Sequence, residues 1–198
     1  MTVPTRDRLL DAAREVVAED GLEGLTLRAI ARRADVSHGA PLRHFPGLAS
    51  LLAAVAAAGF GRLVATIDTA LSALPAGAGP STRLAASGRA YVAFALAEPG
   101  VFSVMFRPEM IDLDDRAYQD EAARSFTQLV DLVTAAQAAG WHPDEDAGDL
   151  AIVLWSHVHG LATLAVHGAL AAPTDTVTVD RLSALSSALV FGPPEPGR

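Results

Sequence analysis

Apolar residues recur at steps of three and four along most of the chain, which is the period of an amphipathic α-helix. Gly21 stands where it would end the first such helix, whose apolar repeat consists of Leu9, Leu10, Ala13, Val16 and Val17. Strand-like alternation is confined to a weak "TDTVTV" near the C-terminus. The pattern therefore predicts an all-α fold.

Helix-start and helix-stop residues divide this pattern into elements. Thr26 is expected to cap a second, short helix with an inward face of Leu27, Ile30, Ala31 and Ala34. Ser37 can cap a third helix reaching His44 or Phe45. Pro41 lies within the first turn of that helix or just past it, where a missing N–H costs little. A long fourth helix follows "FPG" and runs to about Leu74. Further helices are predicted at residues 82–97, 101–106, 114–139, 144–170 and 179–191, separated by breaks that contain Pro or Gly.

The second and third predicted helices are both short and are joined by a tight turn. A supporting helix, a short turn and a second capped helix form the sequence pattern of a helix-turn-helix. In that motif the second helix projects from the protein, so that its N-terminal side chains enter the major groove of DNA. The pattern predicts a DNA-binding site near the N-terminus.

The segment "LTLRAIARRADVSHGAPLRHFPGLASLLAAV" resembles the DNA-binding segment of the TetR family of bacterial regulators. The stretches "VFSVMFRPE" and "LWSHVHGLATL" are similar to the C-terminal domain of one TetR branch, in which a Trp and a His-Gly pair mark a helix. The family is dimeric and all-α. The resemblance implies an N-terminal helix-turn-helix three-helix domain over residues 1–50 and a helical ligand-binding and dimerisation domain over residues 51–198.

The resemblance also assigns roles by position. Thr26 and Arg28 would meet phosphates, Arg43 and His44 would point at bases or phosphates, and Gly39 would allow the backbone to approach DNA closely. The full set of expected DNA-binding positions is Thr26, Arg28, Ser37, His38, Gly39, Ala40, Leu42, Arg43, His44 and Leu48.

Three positions depart from the family pattern. Asp35 stands where the family usually has Gly, and aspartate is among the few residues that tolerate a left-handed backbone. Leu42 replaces a usual phosphate-binding Tyr, and Leu48 a usual Lys. Because lost phosphate contacts lower salt-dependent affinity, the two leucines predict DNA binding that is weaker than is usual for the family.

Charge is distributed unevenly. The chain carries a net charge of -8, which argues against a protein that coats nucleic acid through bulk charge. Residues 25–48 are nevertheless locally basic, because Asp35 is their one acid and their arginines are Arg28, Arg32, Arg33 and Arg43. The cationic side chains needed for a local DNA contact are thus present in an otherwise acidic chain.

The amino-acid composition excludes several classes of protein. Half of the residues are hydrophobic (51%), so a large core is possible, and the absence of cysteine excludes disulfides, thiolate metal sites and cysteine nucleophiles. The apolar runs are interrupted long before the roughly 18 residues that a membrane span requires, and the N-terminus lacks a signal-peptide apolar block. We expect a soluble cytoplasmic protein that does not bind membranes.

Three histidines in the helix predicted at 144–170 raise the question of a metal site. His157 and His159 point in opposed directions on a helix, and His167 lies two turns or more away. They are expected to be buried or pocket-lining imidazoles that are hydrogen-bonded to neighbours. The sequence also lacks HExxH, GxSxG and a glycine-rich phosphate loop, so no cofactor and no enzymatic activity are predicted.

The same helix is apolar on nearly every side. One stripe contains Leu150, Val153, Leu154, His157, Leu161 and Leu164, and a second contains Ile152, Trp155, His159, Ala162 and Val166. A helix of this kind must be covered on both sides. With Leu182, Leu185 and Leu189 of the last predicted helix, the first stripe predicts a four-helix homodimer interface across a two-fold axis.

Aromatic and sulfur-containing side chains are concentrated elsewhere. Each is most simply a core residue, but as a set they predict the lining of a mostly apolar cavity. The members are Phe60, Tyr91, Phe94, Phe102, Met105, Phe106, Tyr118, Phe126 and Trp155, with Tyr91, His159 and Arg107 as polar contacts.

Two functions are consistent with these features. The first is a dimeric DNA-binding transcriptional regulator, a repressor, that leaves a palindromic double-stranded operator when a small, mostly apolar effector binds. The alternative is a ligand- or partner-binding homodimer whose DNA-binding domain has weakened or lost its affinity, as Leu42 and Leu48 would indicate.

Overall fold

The computed structural model describes residues 4–170 and residue 181. These residues form eight α-helices and no strand, which confirms the all-α prediction. The helices are α1 Thr5–Asp20, α2 Leu27–Arg33, α3 Ala40–His44, α4 Leu48–Ser72, α5 Pro80–Ala97, α6 Pro99–Met105, α7 Arg116–Ala138 and α8 Ala147–Val166, with a 3-10 turn at Leu22–Gly24. Apart from Arg181, the helix predicted at 179–191 lies outside the described residues, as do Leu182, Leu185, Leu189 and the "TDTVTV" stretch.

Local sequence signals explain the ends of the long helices. Pro80 and Pro99 occupy the first positions of α5 and α6, where proline loses no hydrogen bond. Beyond α7, Gly140 has a positive φ of 93° and the Trp141 N–H donates to the Ala136 carbonyl at 3.1 Å. This arrangement is a Schellman motif, which ends a helix by returning donors to its last carbonyls. The helices predicted between residues 48 and 170 are therefore present, with ends displaced by a few residues.

The first compact unit contains the residues up to Leu63 together with Glu98–Ser125. In this unit α6 lies directly on α1, because a Cβ at Gly100 would be 2.9 Å from the Val17 carbonyl oxygen. Gly59 of α4 likewise approaches α6, where a Cβ would lie 2.7 Å from Sδ of Met105. Helices α1, α4 and α6 are thus packed at close range. The fully buried side chains of the unit include Leu9, Val16, Ile30, Leu51, Leu52, Val55, Val104 and Met105.

The second compact unit contains Val64–Ala97 and the residues from Phe126 onward. Its buried cluster consists of Leu84, Leu132, Val133, Ala136 and Ala151. The cluster joins α5, α7 and α8, and Leu150 and Leu154 of α8 pack against it. The two units divide the chain differently from the predicted functional boundary between residues 50 and 51, which stays a prediction.

Two described helices, α4 and α8, have the length and apolar composition of a membrane span. This length and composition disagree with the prediction that the apolar runs are too interrupted for a membrane span. In α4, 61% of the apolar stretch is buried inside the protein, as in the core helix of a soluble protein, whereas in α8 the buried share is 11%. Helix α8 therefore has few fully buried residues, and Ile152, Val153 and Leu164 are exposed on its outer side.

Candidate nucleic-acid interface

The turn after α2 has a fixed hydrogen-bonding pattern. The Val36 N–H donates to the Ala31 carbonyl at 3.0 Å and the Asp35 N–H donates to the Arg32 carbonyl at 3.2 Å. This Schellman motif requires a left-handed residue at its centre, and Asp35 has a φ of 53°. The prediction that Asp35 adopts the conformation usually given to glycine is confirmed.

Arg8 of α1 holds the same turn from outside. Its Nη2 donates to the carbonyl of Ala34 and, at 3.1 Å, to the carbonyl of Asp35. These are carbonyls at the end of α2 that the helix itself leaves without partners. This contact is absent from the sequence-based predictions, because Arg8 lies 26 residues before Ala34 and belongs to no local pattern.

Helix α2 begins as predicted. The Thr26 Oγ1 accepts a hydrogen bond from the Ala29 N–H at 3.1 Å. Because the oxygen acts as acceptor there, the hydroxyl hydrogen stays available to a phosphate oxygen. Thr26 and the following Arg28 are both exposed, and Ile30 and Ala31 face inward.

Helix α3 begins later than the sequence predicted. Ser37 does not cap it; the helix starts at Ala40, with Gly39 as the capping residue, and the Ser37 carbonyl accepts from the Ala40 N–H at 2.9 Å. Pro41 explains the difference. Had Ser37 been the cap, Pro41 would stand where an N–H donor is needed, whereas in the observed helix it is the second residue and needs none.

The residues around α3 separate into an inward and an outward set. Ala40, Pro41 and Phe45 are buried, and the Arg6 guanidinium lies over the Phe45 ring, 5.3 Å from its centroid. Ala40 was expected at the DNA surface, but its side chain faces the core and cannot reach DNA. The exposed set consists of Ser37, His38, Gly39, Leu42, Arg43 and His44, and Leu48 at the start of α4 is half-buried.

This surface carries less unpaired positive charge than the sequence predicted. Arg33 pairs with Glu15 at 3.3 Å and also with Glu19, both on α1. The hydrogen bond and the positive charge of Arg33 lower the pKa of Glu19. Among the described residues, Arg28, Arg32 and Arg43 make no ion pair, so these three carry the positive charge that remains available to a phosphate.

A hydrogen-bonded group in the second unit involves the predicted polar contacts. Trp155 of α8 donates from Nε1 to the Tyr91 hydroxyl at 3.2 Å, and this hydroxyl lies 2.8 Å from Nδ1 of His159. Since indole only donates, the tyrosine proton is free to reach Nδ1, which leaves the proton of a neutral His159 on Nε2. Burial raises the pKa of Tyr91 and lowers the pKa of His159, and both shifts favour the neutral forms.

The expectation of a partly buried, hydrogen-bonded imidazole is confirmed for His159. His157 and His167 are exposed, so the prediction that they are buried or pocket-lining was wrong. His157 lies on the outward face of α8, and His167 is the residue that follows the end of this helix. In the described part of the chain, no three histidine or acidic side chains come together in a group that could hold a metal ion.

The predicted cavity residues are divided between the two units. Phe60, Phe102, Met105, Phe106, Arg107 and Tyr118 belong to the first unit, and Tyr91, Phe94, Phe126, Trp155 and His159 belong to the second. In the first unit the Phe60 ring lies 5.6 Å from Phe106 and 6.0 Å from Tyr118. Arg107 is exposed and pairs with Glu109 at 3.3 Å, so it is a surface residue rather than the internal polar contact that was expected.

The predicted interface stripe of α8 is also divided. Leu150 and Leu154 pack against the buried cluster of the second unit, and Leu161 is half-buried. Val153, His157 and Leu164 are exposed. Ile152, which the sequence assigned to the opposite stripe, is exposed beside them. The outward face of α8 therefore consists of Ile152, Val153, Ser156, His157, Gly160 and Leu164.

A short exposed helix supported by a capped partner helix defines a helix-turn-helix DNA-binding protein. Comparison with known families agrees. The model described as "Bacterial regulatory proteins, tetR family" matches residues 9–55, and the model described as "Tetracyclin repressor-like, C-terminal domain" matches residues 84–184, which is just over half of the chain. The chain belongs to the TetR family of transcriptional regulators.

Individual relatives show the same relationship. The transcriptional repressor KstR of Mycobacterium tuberculosis is 38% identical over 79 residues, which are 40% of this chain and 34% of KstR. The chain thus spans about a third of the length of that curated relative. A solved structure of a protein with unknown function from Rhodococcus sp. RHA1 is 35% identical, covers 96% of this chain and 94% of its own, and has a TM-score of 0.82. FadR of Bacillus halodurans, a fatty acid degradation regulator, shares the fold at 16% identity, with coverage of 96% of each chain and a TM-score of 0.75.

Proposed function

We propose that the protein is a homodimeric repressor that binds a palindromic operator through α2 and α3 and is released when a small, mostly apolar ligand binds. The observation that carries the DNA-binding part is the outward face of α3, where Leu42, Arg43 and His44 are all exposed. The buried face of the same helix anchors it to the first unit. A helix held in this way can enter a major groove without losing its support.

The proposed contacts fall into two groups. Thr26 and Arg28 stand at the start of α2 and would bind phosphates, which position a protein on DNA without reading its sequence. Arg43 and His44 would meet base edges or phosphates, together with Ser37 and His38. A Cβ at Gly39 would have nothing within 4 Å, so the protein leaves open space beside the backbone that begins α3, and DNA could approach it closely.

Dimerisation is supported by the outward face of α8. Val153 is 64% exposed, and Ile152 and Leu164 are about half exposed. Apolar side chains clustered on one helix face indicate a surface that another protein covers. A second copy of the chain, related by a two-fold axis, would cover it with the same face.

Release by a ligand would act through a shift in population. A ligand that favours a dimer in which the two copies of α3 are no longer about 34 Å apart weakens operator binding, because successive major grooves have that spacing. Within the second unit, the aromatic side chains of Phe94, Phe126 and Trp155 would contact the apolar part of the ligand, and Tyr91 and His159 offer the hydrogen-bonding groups. The repressor direction rests on the similarity to KstR. A regulator of this kind acts on DNA in the cytoplasm and needs no membrane.

A fluorescence titration with labelled DNA from the region flanking the gene tests the proposal. We expect a dissociation constant of about 10 nM or below that weakens steeply with salt. Absence of binding at low salt would instead support a ligand- or partner-binding homodimer whose DNA-binding domain has lost its affinity. The exposed Leu42, 58% accessible in the centre of the proposed contact surface, is the observation that favours this second function.

A further inference from the structure

Glu98, the residue immediately before α6, contacts arginines from two other helices of the first unit. Its carboxylate accepts hydrogen bonds from Nε and Nη2 of Arg62, on α4, at 2.9 and 2.8 Å. It also accepts from Nη2 of Arg14, on α1, at 3.4 Å. One carboxylate therefore joins α1, α4 and the start of α6.

The geometry and the partial burial of this contact make it suited to fix the orientation of the helices that it joins. Two parallel hydrogen bonds between a guanidinium and a carboxylate fix the relative orientation of both groups. The Glu98 side chain is 22% exposed, so solvent and salt screen it less than they screen a surface pair. The buried Nε of Arg14 has no hydrogen-bond partner within the described part of the chain, and besides Glu98 its guanidinium pairs only with Asp11, on the same helix, at 3.4 Å.

Helix α1 in turn determines where α3 lies. Arg8 of α1 holds the turn that precedes α3, and Glu15 and Glu19 of α1 hold Arg33 of α2. A change in the angle of α1 on α4 and α6 would therefore move the whole helix-turn-helix.

We propose that Glu98 is a positioning residue for operator recognition: through Arg14 and Arg62 it holds α1, and with it α2 and α3, at the angle on α4 and α6 that specific DNA binding requires. Glu98 itself does not touch DNA. The proposal rests on the proposed function, since it needs a DNA sequence that the protein prefers.

Charge alone predicts the opposite effect, and this makes a decisive test possible. Removing a carboxylate from an acidic protein should strengthen its binding to every DNA sequence. Loss of a positioning residue should instead weaken binding to the preferred sequence alone. The matched control is Glu109, a carboxylate of the same unit whose one ion pair among the described residues is with the exposed Arg107.

The experiment compares full-length wild type, Glu98→Gln and Glu109→Gln on two duplexes. One is a duplex that the wild type selects from a random pool, and the other has the same base composition in scrambled order. We expect Glu98→Gln to bind the selected duplex about tenfold more weakly and the scrambled duplex as tightly as wild type or more tightly. Glu109→Gln should keep the wild-type ratio between the two. An unchanged ratio for Glu98→Gln overturns the proposal, and so does an equal loss on both duplexes.

Arg14 supplies an independent check in case Glu98→Gln folds poorly. Arg14→Gln leaves the bidentate contact between Glu98 and Arg62 in place, and it should show the same selective loss. The double variant Glu98→Gln/Arg14→Gln should bind the selected duplex no more weakly than Glu98→Gln does, because Glu98→Gln already removes the contact that Arg14→Gln removes. Additive losses would contradict the proposal. If the wild type selects no duplex at all, the proposed function fails, whereas a normal wild type with unaffected variants rejects the role of Glu98 alone.

Discussion

Arg43 is the residue whose surroundings best support the proposed DNA contact. It is exposed in the middle of the outward face of α3 and makes no ion pair with any described residue. We predict that Arg43→Ala abolishes specific operator binding and leaves the dimer intact, because a base or paired phosphate contact contributes about 1 to 3 kcal/mol per half-site. Anisotropy titration measures the first effect and sedimentation velocity the second. Unchanged affinity would remove Arg43 from the interface.

Leu42 and Leu48 lead to a prediction of gained affinity. Tyrosine at position 42 and lysine at position 48 should strengthen binding to every sequence by a similar factor, because phosphate contacts do not read bases. The log-log salt slope should steepen by about one counterion per added lysine, hence about two per dimer. Leu113→Lys, a cation added at an exposed leucine remote in sequence, is the control. No gain at low salt would mean that these two positions do not face phosphates.

His159 makes stability depend on pH in the second unit. Burial lowers its pKa below the ordinary value of 6.5, so the unfolded chain takes up a proton more readily than the folded one. The contribution of the neutral His159 to the free energy of unfolding is therefore complete above pH 6.5 and declines as the pH falls below that value. We expect His159→Gln to flatten this part of the profile of denaturation midpoint against pH, and the exposed His38→Gln to leave it unchanged. A profile that keeps its slope in His159→Gln would contradict the assignment.

Individual residues differ in how far the sequence alone could place them. The Thr26 cap and the left-handed Asp35 were predicted correctly, because each is determined by neighbours a few positions away. Two contacts were not predicted: the hydrogen bonds from Arg8 to the turn after α2, and the ion pairs of Arg33 with α1. Both contacts join residues that are distant in sequence. The local count of charges included Arg33 among the cations that could bind DNA, but its positive charge is paired with two glutamates of α1.

At the scale of elements, the contact between α6 and α1 depends on the absence of a side chain at Gly100. A methyl group there would meet backbone atoms of Val17 at 2.9 and 3.0 Å, and backbone cannot move aside as a side-chain end can. Gly100→Ala should lower the free energy of unfolding by about 1 to 3 kcal/mol.

Gly61→Ala is the control in the same unit. Its added methyl group would make an ordinary contact, 3.5 Å from Glu121, in the interior of α4. Alanine there should be neutral or stabilise by up to about 1 kcal/mol. Urea denaturation of the two variants provides the comparison, and equal stabilities would show that α6 can move away from α1 at little cost.

Whole elements were predicted well where a single signal dominated and less well where two competed. A helix capped by Ser37 would need an N–H donor at Pro41, so the two signals are incompatible in one helix. In the structure α3 begins at Ala40, where Pro41 needs no N–H. In α8 almost every position is apolar, so periodicity could not show which side faces inward. That choice depends on which residues of α5 and α7 lie opposite, and Ile152 was placed on the wrong side as a result.

For the molecule as a whole, the proposed dimer is the property most open to direct measurement. We expect a homodimer at micromolar concentration. Val153→Glu should convert it to a monomer, because a two-fold axis brings the same helix faces together and leaves the new charges buried without partners. Leu113→Glu, which adds the same charge at another exposed leucine, should remain dimeric. A monomeric wild type in sedimentation equilibrium would exclude the interface, and a dimeric Val153→Glu would place it on another surface.

The discontinuity of the first compact unit has a consequence for how the protein is made. All proposed DNA-contacting residues precede residue 64, yet the unit also contains Glu98–Ser125. A ribosome adding about 5–20 residues per second needs several seconds to pass from one part to the other. During that interval the nascent chain carries a complete helix-turn-helix sequence, while the surfaces of Val17 and Gly59 that α6 covers are still bare. A chain released before Glu98 would therefore bear every proposed DNA-contacting residue without α6, which packs on α1, so we expect an incomplete translation product to compete poorly for the proposed operator.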